Sequence, residues 1–543
     1  MKKIYKIALL SSLSTMFVAC TANFEEINYD HFGPGTGDVL ADDYALGSAM
    51  NNLAGCVVSP DVNTTQFTDC LLGGTTGGYF ADSQNSWSNT ISNYNPTDDW
   101  TRVFLKSDKV IPVLYTNYNS IKAISEQTGN PVPLAIAKII KVAAMHRITD
   151  TYGAIPYSKI GEDGAITTPY DSQEEIYNRF FEELNAAIED LAANENEALV
   201  ASADYVYSGN LKNWIKFANS LKLRLAMRIV YANPDKAQKM AEEAASHPGG
   251  LISSNSENAA WNYFGSSSNP MYTAVKYNTP AHEDGKVCPS GGDSHVAADI
   301  ICYMNGYEDP RRAKYFTESE WPSEDNKYVG LRRGIVIPSL KNIGHKYSGI
   351  NIQPNSPLMW MNAAEVSFLC AEATGVFNFN MGGKSAATFY NEGIRLSFEQ
   401  WGAEGADKYI KNNSLRPNNY TDPNQGVNSY GGTLSNVTIQ WEDDATPEIK
   451  QERIIIQKWI ANWTIGHEAW SDHRRTGYPK FIPATSEGNK SGGIVDDEGA
   501  RRMPYPRDEY VNNKANINDA VSKYLKGADN MGQHVWWDCK NVN

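Results

Sequence analysis

Apolar and polar positions divide this chain into a helical body interrupted by one long aperiodic stretch. In PLAIAKIIKVAAMHRITD, which begins at Pro131, residues Leu134, Ala137, Ile140, Ala144 and Ile148 fall on one face of a helical repeat. Gly153 and Pro156 in TYGAIPY end that helix. The next opens at DSQEE, where Asp171 or Ser172 can cap and Glu174 or Glu175 can complete a capping box. Ile176, Phe180, Leu184, Ala187, Ile188 and Leu191 continue it as a stripe. A third helix is predicted over 211–231, with Trp214, Phe217, Leu221, Leu225 and Ile229 on one face and Pro234 beyond its end. Helical periodicity returns over 359–374, 385–400 and 448–474. The stretch 251–357 is rich in Gly, Ser, Asn, Pro and aromatic residues and has few stripes. It reads as a long irregular insertion, the kind of segment that usually carries function. GGTTGGYF, from Gly73, lacks the lysine and helix of a phosphate cradle and reads as a loop. Paired helices without a strict repeat consensus suggest a helical-repeat scaffold.

The first twenty residues follow another pattern. Lys2, Lys3 and Lys6 precede an apolar run over 7–18, which is too short for a mature membrane-spanning helix of about 20 apolar residues. Phe17, Val18 and Ala19 lead into Cys20. That order reads as a bacterial lipoprotein signal, cleaved before Cys20, with lipid on its thiol and new amino terminus. Phe17 stands where leucine is usual, and an ordinary secretory leader is the alternative. Either way the chain is exported, which argues against chemistry that needs cytosolic ATP or nicotinamide. The predicted layout is a signal peptide over 1–19, a lipidated cysteine and flexible tether over 20–40 containing GPGTGD, and a single domain over 41–543. No later segment approaches 18 consecutive apolar residues.

Hydrophobic residues make up 41% and charged residues 20% of the 543, as in a globular protein. The formal charge of −15 falls to −18 once the leader takes its three lysines away. Such a surface repels nucleic acid and gains no electrostatic grip on anionic lipid, so an uncharged ligand fits it best. Arg311, Arg312, Arg332 and Arg333 could form a local basic pocket, but read first as solvated surface charge. Cys56, Cys70, Cys288, Cys302, Cys370 and Cys539 remain beyond the lipid site, and their connectivity is open. Cys56 with Cys70 and Cys288 with Cys302 are local disulfide candidates. Cys370, in SFLCAEA, reads as a buried free thiol. No C-x-x-C pair exists, which disfavours a zinc knuckle, and no cofactor is expected.

HEAWSDH, His467 to His473, fails the metalloprotease pattern. Its histidines stand six apart, about 240° around a helix, and cannot share one zinc there. Paired carboxylates for glycoside hydrolysis are defined by spatial separation, which sequence does not give. The positive signal is aromatic: 13 Trp, 30 Tyr and 17 Phe, several in amide-rich loops. GGYFADSQNSWSNTISNY carries Tyr79, Trp87 and Tyr94. AAWNYFGSSSNPMY carries Trp261, Tyr263 and Tyr272. A flat ring stacks on the apolar face of a sugar while Asn, Gln and Asp bond its hydroxyls. The competing reading is that such aromatics anchor loops on the core.

Long ordered stretches resemble the SusD/RagB-like outer-membrane lipoproteins of Bacteroidetes. They include NFEEINYD, RITDTYGAIPYS, YDSQEEIYNRFFEELNAAI, YSGNLKNWIKFANSLKLRLAMRI, AAEVSFLCAEA, YNEGIRLSFEQWG, ERIIIQKWIANWTIGHEAWSDHRRTGYP, RRMPYPRDEY and NMGQHVWWD. The region 251–350 matches least. The resemblance implies a mostly α fold, a tetratricopeptide-like scaffold whose long irregular loops build the ligand site. It implies a non-enzymatic, lipid-anchored protein on the cell surface that captures oligosaccharide and passes it to a SusC-like TonB-dependent transporter. It also implies a sugar site built from N-terminal and mid-chain loops. The candidates there are Trp87, Trp261 and Tyr263 as platforms, and Tyr79 as platform or wall. Asn85, Asp82 and Asn269 are candidate hydroxyl partners, and Trp321 is a further platform candidate. A surface glycoside hydrolase and an adhesin or peptide-uptake protein are the alternatives.

Overall fold

The stripe that begins at Leu134 forms the helix Val132–Tyr152, which is buried on nearly every side rather than on one face. A helix enclosed in this way is a central element. The computed structural model describes residues 44–540, apart from 85–86, 102, 106, 162–166, 198, 263–266, 278–291, 322–326 and 338–345. The leader, Cys20 and the 21–40 stretch lie outside the described residues.

In chain order the longer helices are α1 (Tyr44–Ala54), α2 (Ile111–Thr128), α3 (Val132–Tyr152), α4 (Gln173–Ala193), α5 (Leu211–Arg228) and α6 (Pro234–Ser246). They continue as α7 (Ala298–Gly306), α8 (Ala363–Phe377), α9 (Ala386–Gln400), α10 (Pro447–Ala461), α11 (Gly466–Thr476) and α12 (Lys514–Tyr524). Neighbours in sequence pack side by side: α1 on α2, α2 on α3, α3 on α4, α5 on α6 and α8 on α9; α8 also packs on α10. The fold is therefore mostly α, built from helix pairs. Local chemistry sets their ends. Ser172 accepts from the Glu175 N–H at 3.1 Å while the Glu175 carboxylate takes the Ser172 N–H at 2.9 Å, closing the capping box at α4. Asn210 caps α5 and Asn362 caps α8. Pro234, expected beyond a helix, also opens the next as a first-turn residue of α6.

Two small antiparallel sheets complete the frame. β1 (Phe80–Asp82) pairs with β3 (Ser294–Val296), and β2 (Ala259–Trp261) pairs with β4 (Leu358–Met361). Here the structure departs from the sequence reading. The apolar run LMWM is strand β4, and α8 begins only after the Asn362 cap. The predicted 448–474 helix is two helices, broken at Asn462–Ile465, where Thr464 takes a φ of 77°. The 251–357 stretch carries β2, β3 and the buried α7 as well as coil. The glycine run from Gly73 starts inside a π-helix, Gln66–Gly74. That helix lies against α11 at backbone contact: a Cβ on Gly466 would sit 2.2 Å from the Gly73 carbonyl carbon.

Titratable side chains are spent on the scaffold. Asp150 of α3, Arg224 and Arg228 of α5, Glu365 and Glu372 of α8, Lys458 of α10, and Glu468, Asp472 and Arg475 of α11 form one buried ion-pair network. Arg224 grips Glu365 through two bonds of 2.7 and 2.8 Å. The arginines read as surface charge are buried or bonded inside. Arg311 pairs with Asp309, Arg333 with Asp299, Arg332 donates to the Pro483, Asn428 and Ser429 carbonyls, and Arg312 donates to Asp309 O and Asn305. Cys56 and Cys70 are both free and buried, so they form no disulfide. Cys302 is likewise a free buried thiol, and Cys288 lies outside the described residues. Burial pushes the Cys56 thiol up to about 12. Cys370 is the buried thiol its setting predicts. His467 and His473 turn to different carbonyls, Thr68 O at 2.7 Å and Pro479 O at 2.8 Å, in the interior.

Candidate ligand-binding site

The structure gathers Asp82, Trp87 and Trp321 around the β1–β3 sheet. The segment after β1 is pinned from beneath. The Ser83 hydroxyl donates to Gly292 O, and the Gln84 and Gln66 amides donate to the two Asp293 carboxylate oxygens at 2.9 and 3.0 Å. This holds the chain where it leaves the sheet. There the half-buried Trp87 ring meets Trp100 edge-on at 5.1 Å, and Trp100 meets Phe67 at 5.4 Å. Trp87 thus ends a rigid row of three rings with part of its surface in solvent. Asn85, beside it, lies outside the described residues, as does Tyr263.

Other candidates take structural roles. Tyr79 is fully buried, stacked on Trp459 at 5.6 Å with its hydroxyl on Trp459 O, so it offers no face to a sugar. Its glycine-rich surroundings suggested a loop, but the close approach of Gly73 and Gly466 draws this stretch inward. Asp82 is also buried. Its carboxylate takes the Ser92 hydroxyl at 2.5 Å and the Thr75 hydroxyl at 3.4 Å, so it holds the sheet edge rather than facing ligand. Burial pushes its carboxyl up to about 6 against those two donors. Trp261 is 6% exposed, set edge-on to Tyr205 at 5.5 Å, and cannot serve as a platform. Asn269 is a buried helix cap. It accepts from the Met271 and Tyr272 N–H groups and donates to Ser356 O, which commits its oxygen and one of its two amide protons to the chain. Trp321 packs edge-on to Tyr347 at 5.6 Å, with the Lys346 ammonium 4.9 Å above its ring. Among the described candidate platforms, Trp87 and Trp321 are half-buried, while Tyr79 and Trp261 are buried.

A cleft of about 700 Å³ lies beside β2 and β4, lined by parts of five separate segments. The aromatic clusters pointed to its neighbourhood through Trp261 and Asn269. The residues that open into it, Asn213, Asn258 and Trp401 among them, carry no sequence signal because they share no periodicity or motif.

The family model described as "Susd and RagB outer membrane lipoprotein" matches residues 26–538, nearly the whole chain. The chain belongs to the SusD-like family. Solved structures agree. A SusD homolog from Bacteroides uniformis is 62% identical, with a TM-score of 0.88 over 92% of this chain and 100% of its own. A second, from Bacteroides thetaiotaomicron, is 39% identical, with a TM-score of 0.81 over 91% and 99%. A chitin-binding SusD homolog from Flavobacterium johnsoniae is 35% identical, with a TM-score of 0.81 over 91% and 99%. No curated protein matches the chain. Helix pairs in this SusD-like chain are the tetratricopeptide-like scaffold of that fold. The family match begins at residue 26, within the stretch read as tether.

Proposed function

We propose that this SusD-like protein is a lipid-anchored glycan-binding protein of the cell surface. It captures oligosaccharide, performs no chemistry on it, and hands it to a SusC-like TonB-dependent transporter. The observation that carries this reading is the near full-length match to an outer-membrane lipoprotein family, joined to a chitin-binding homolog at 35% identity. The Trp87–Trp100–Phe67 row supplies a preformed stacking edge, and the surface charge favours an uncharged ligand. Cys20 would carry the lipid, and 21–40 would be the tether.

A glycan array on the purified protein tests the capture step, with chito-oligosaccharides among its probes. Binding to a defined glycan, without release of shorter products, is the expected result. Hydrolysis that vanishes on mutating one carboxylate would replace the reading with a glycosidase. Isolation of the tagged protein from outer membranes tests the hand-over, and recovery without a TonB-dependent transporter would refute that step.

A further inference from the structure

We infer that the cleft beside β2 and β4 is a second ligand site, and that it takes a short uncharged oligosaccharide. Its location stands on the cleft's own geometry. Its place in uptake rests on the glycan-binding role proposed above.

The cleft holds about 700 Å³, within the range of sites that enclose small ligands. Six asparagines line it: Asn213, Asn255, Asn258, Asn262, Asn269 and Asn351. An amide offers donors and an acceptor together, which suits hydroxyl and acetamido groups that do the same. Several are held by the scaffold. Asn255 donates to Leu396 O and to Glu399, and Asn258 accepts from the Ala363 N–H. The Asn213 side chain, in the first turn of α5, has no hydrogen bond among the described residues, and neither has the Thr464 hydroxyl. Among those residues Glu399 is the only charged side chain lining the cleft. With no cation there, an anionic sugar would meet uncompensated negative charge.

Aromatic surface completes the chemistry. Trp401, at the end of α9, is half-buried and fixed edge-on to Tyr315 at 4.6 Å. Trp463 stands behind it in the wall. Both indole N–H groups, and the Gln400 side-chain oxygen, are buried without a partner among the described residues. These atoms are closed to solvent, so an occupant of the cleft is held by the asparagine amides and the exposed part of Trp401 rather than by them. Thr464, also in the wall, keeps a φ of 77°, a conformation that β-branched residues avoid and that folds tend to keep at functional positions.

The test is calorimetric titration of the detergent-solubilised full-length protein with chitotetraose, maltotetraose, xylotetraose, tetragalacturonate and tetraglycine. At least one neutral tetrasaccharide should bind, and tetragalacturonate should not. Asn213→Trp, which fills the cleft from α5, should weaken that binding by at least about tenfold. Asn213→Ala, which removes an amide bonded to nothing else, should weaken it by about threefold with an unchanged melting temperature. Unchanged affinity in both variants overturns the cleft site. If Trp87→Ala alone then abolishes binding, the proposed function stands without it. Binding of tetraglycine that depends on Asn213 also overturns the inference, since the occupant would be a peptide. Failure of every saccharide to bind overturns both readings.

Discussion

Lys458→Met tests whether the buried ion-pair network holds α10 and α11 together. The Lys458 ammonium lies 2.8 Å from Glu468 and 2.7 Å from Asp472, and it is 1% exposed. Burial works against its charge, yet Asp472, Glu468 and Glu365 hold its pKa above the ordinary lysine value. Methionine keeps the length of the side chain and removes the charge, so in a dry interior Asp472 is left to Arg475, which it shares with Glu372, and Glu468 to Arg224 and Arg228. Breaking one partner of a buried pair costs about 3–5 kcal/mol. At about 2.1 cal/mol/K per residue over roughly 500 residues, the unfolding entropy is about 1 kcal/mol/K, so the melting temperature should fall by about 3–5 °C. Adding Asp472→Asn should recover at least half of that loss. Glu468 then still has Arg228 and Glu372 still has Arg475, so each remaining carboxylate keeps a cation. Differential scanning calorimetry at pH 7 reads the two single variants, Lys458→Met and Asp472→Asn, and the double variant. A shift of less than about 1 °C for Lys458→Met, or a double variant that falls as far as the two single losses combined, would refute the reasoning.

Trp87→Ala should weaken binding of any glycan held at the β1–β3 edge by about tenfold, the worth of one aromatic contact of about 1.5 kcal/mol, and unchanged affinity would remove Trp87 from the site. Asp82 holds its proton more tightly folded than unfolded, its carboxyl rising from 3.8 to about 6. Its contribution is therefore full below about pH 4 and is lost as pH rises through about 6, a change of about 3 kcal/mol. Thermal melts from pH 4 to 7 should show a smaller pH slope for Asp82→Asn than for the wild type, and equal slopes would contradict the assignment. Gly73→Ala puts a Cβ 2.8 Å from His467 Cδ2, so it should destabilise by about 1–3 kcal/mol, read as a lower melting temperature. Cys20→Ala should leave glycan affinity intact but release the protein from the membrane fraction; retention there would rule out the lipid.

The helices were legible wherever burial imposed a period. Ile176 through Leu191 show one buried stripe, and the Ser172–Glu175 box fixes where that helix begins, because both signals are local. The same reasoning misread LMWM, since a short apolar run has no period that separates a buried strand from a helix. It misplaced Tyr79 because glycines in GGTTGGYF serve contact with Gly466, a residue nearly four hundred positions away in sequence, rather than a loop. Arg311 and Arg333 looked like surface charge because their partners, Asp309 and Asp299, are identified as buried only by the fold. The ligand-facing residues were least legible. Asn213, Asn258, Asn351, Trp401 and Thr464 come from five segments, and nothing in any one of them announces the cleft.

Helix ends are where this fold can afford such a cleft. Its helices bury charge as well as apolar surface, so their middles are committed to α3, α5, α8, α10 and α11 holding one another. The first turn of α5, the last residues of α9 and the break between α10 and α11 are bound by fewer of these ties, and all three open into the cleft. The strained Thr464 sits in that break, eight residues before the network resumes fully at Asp472 and six after Lys458. Lys458 and Asp472 therefore clamp both sides of the turn that forms the cleft wall. The stability test and the binding test are joined through this clamp. If the clamp positions Thr464 and Trp463, Lys458→Met should weaken tetrasaccharide binding at temperatures well below its melting point, although Lys458 does not line the cleft. If it only stabilises the scaffold, affinity should match the wild type there.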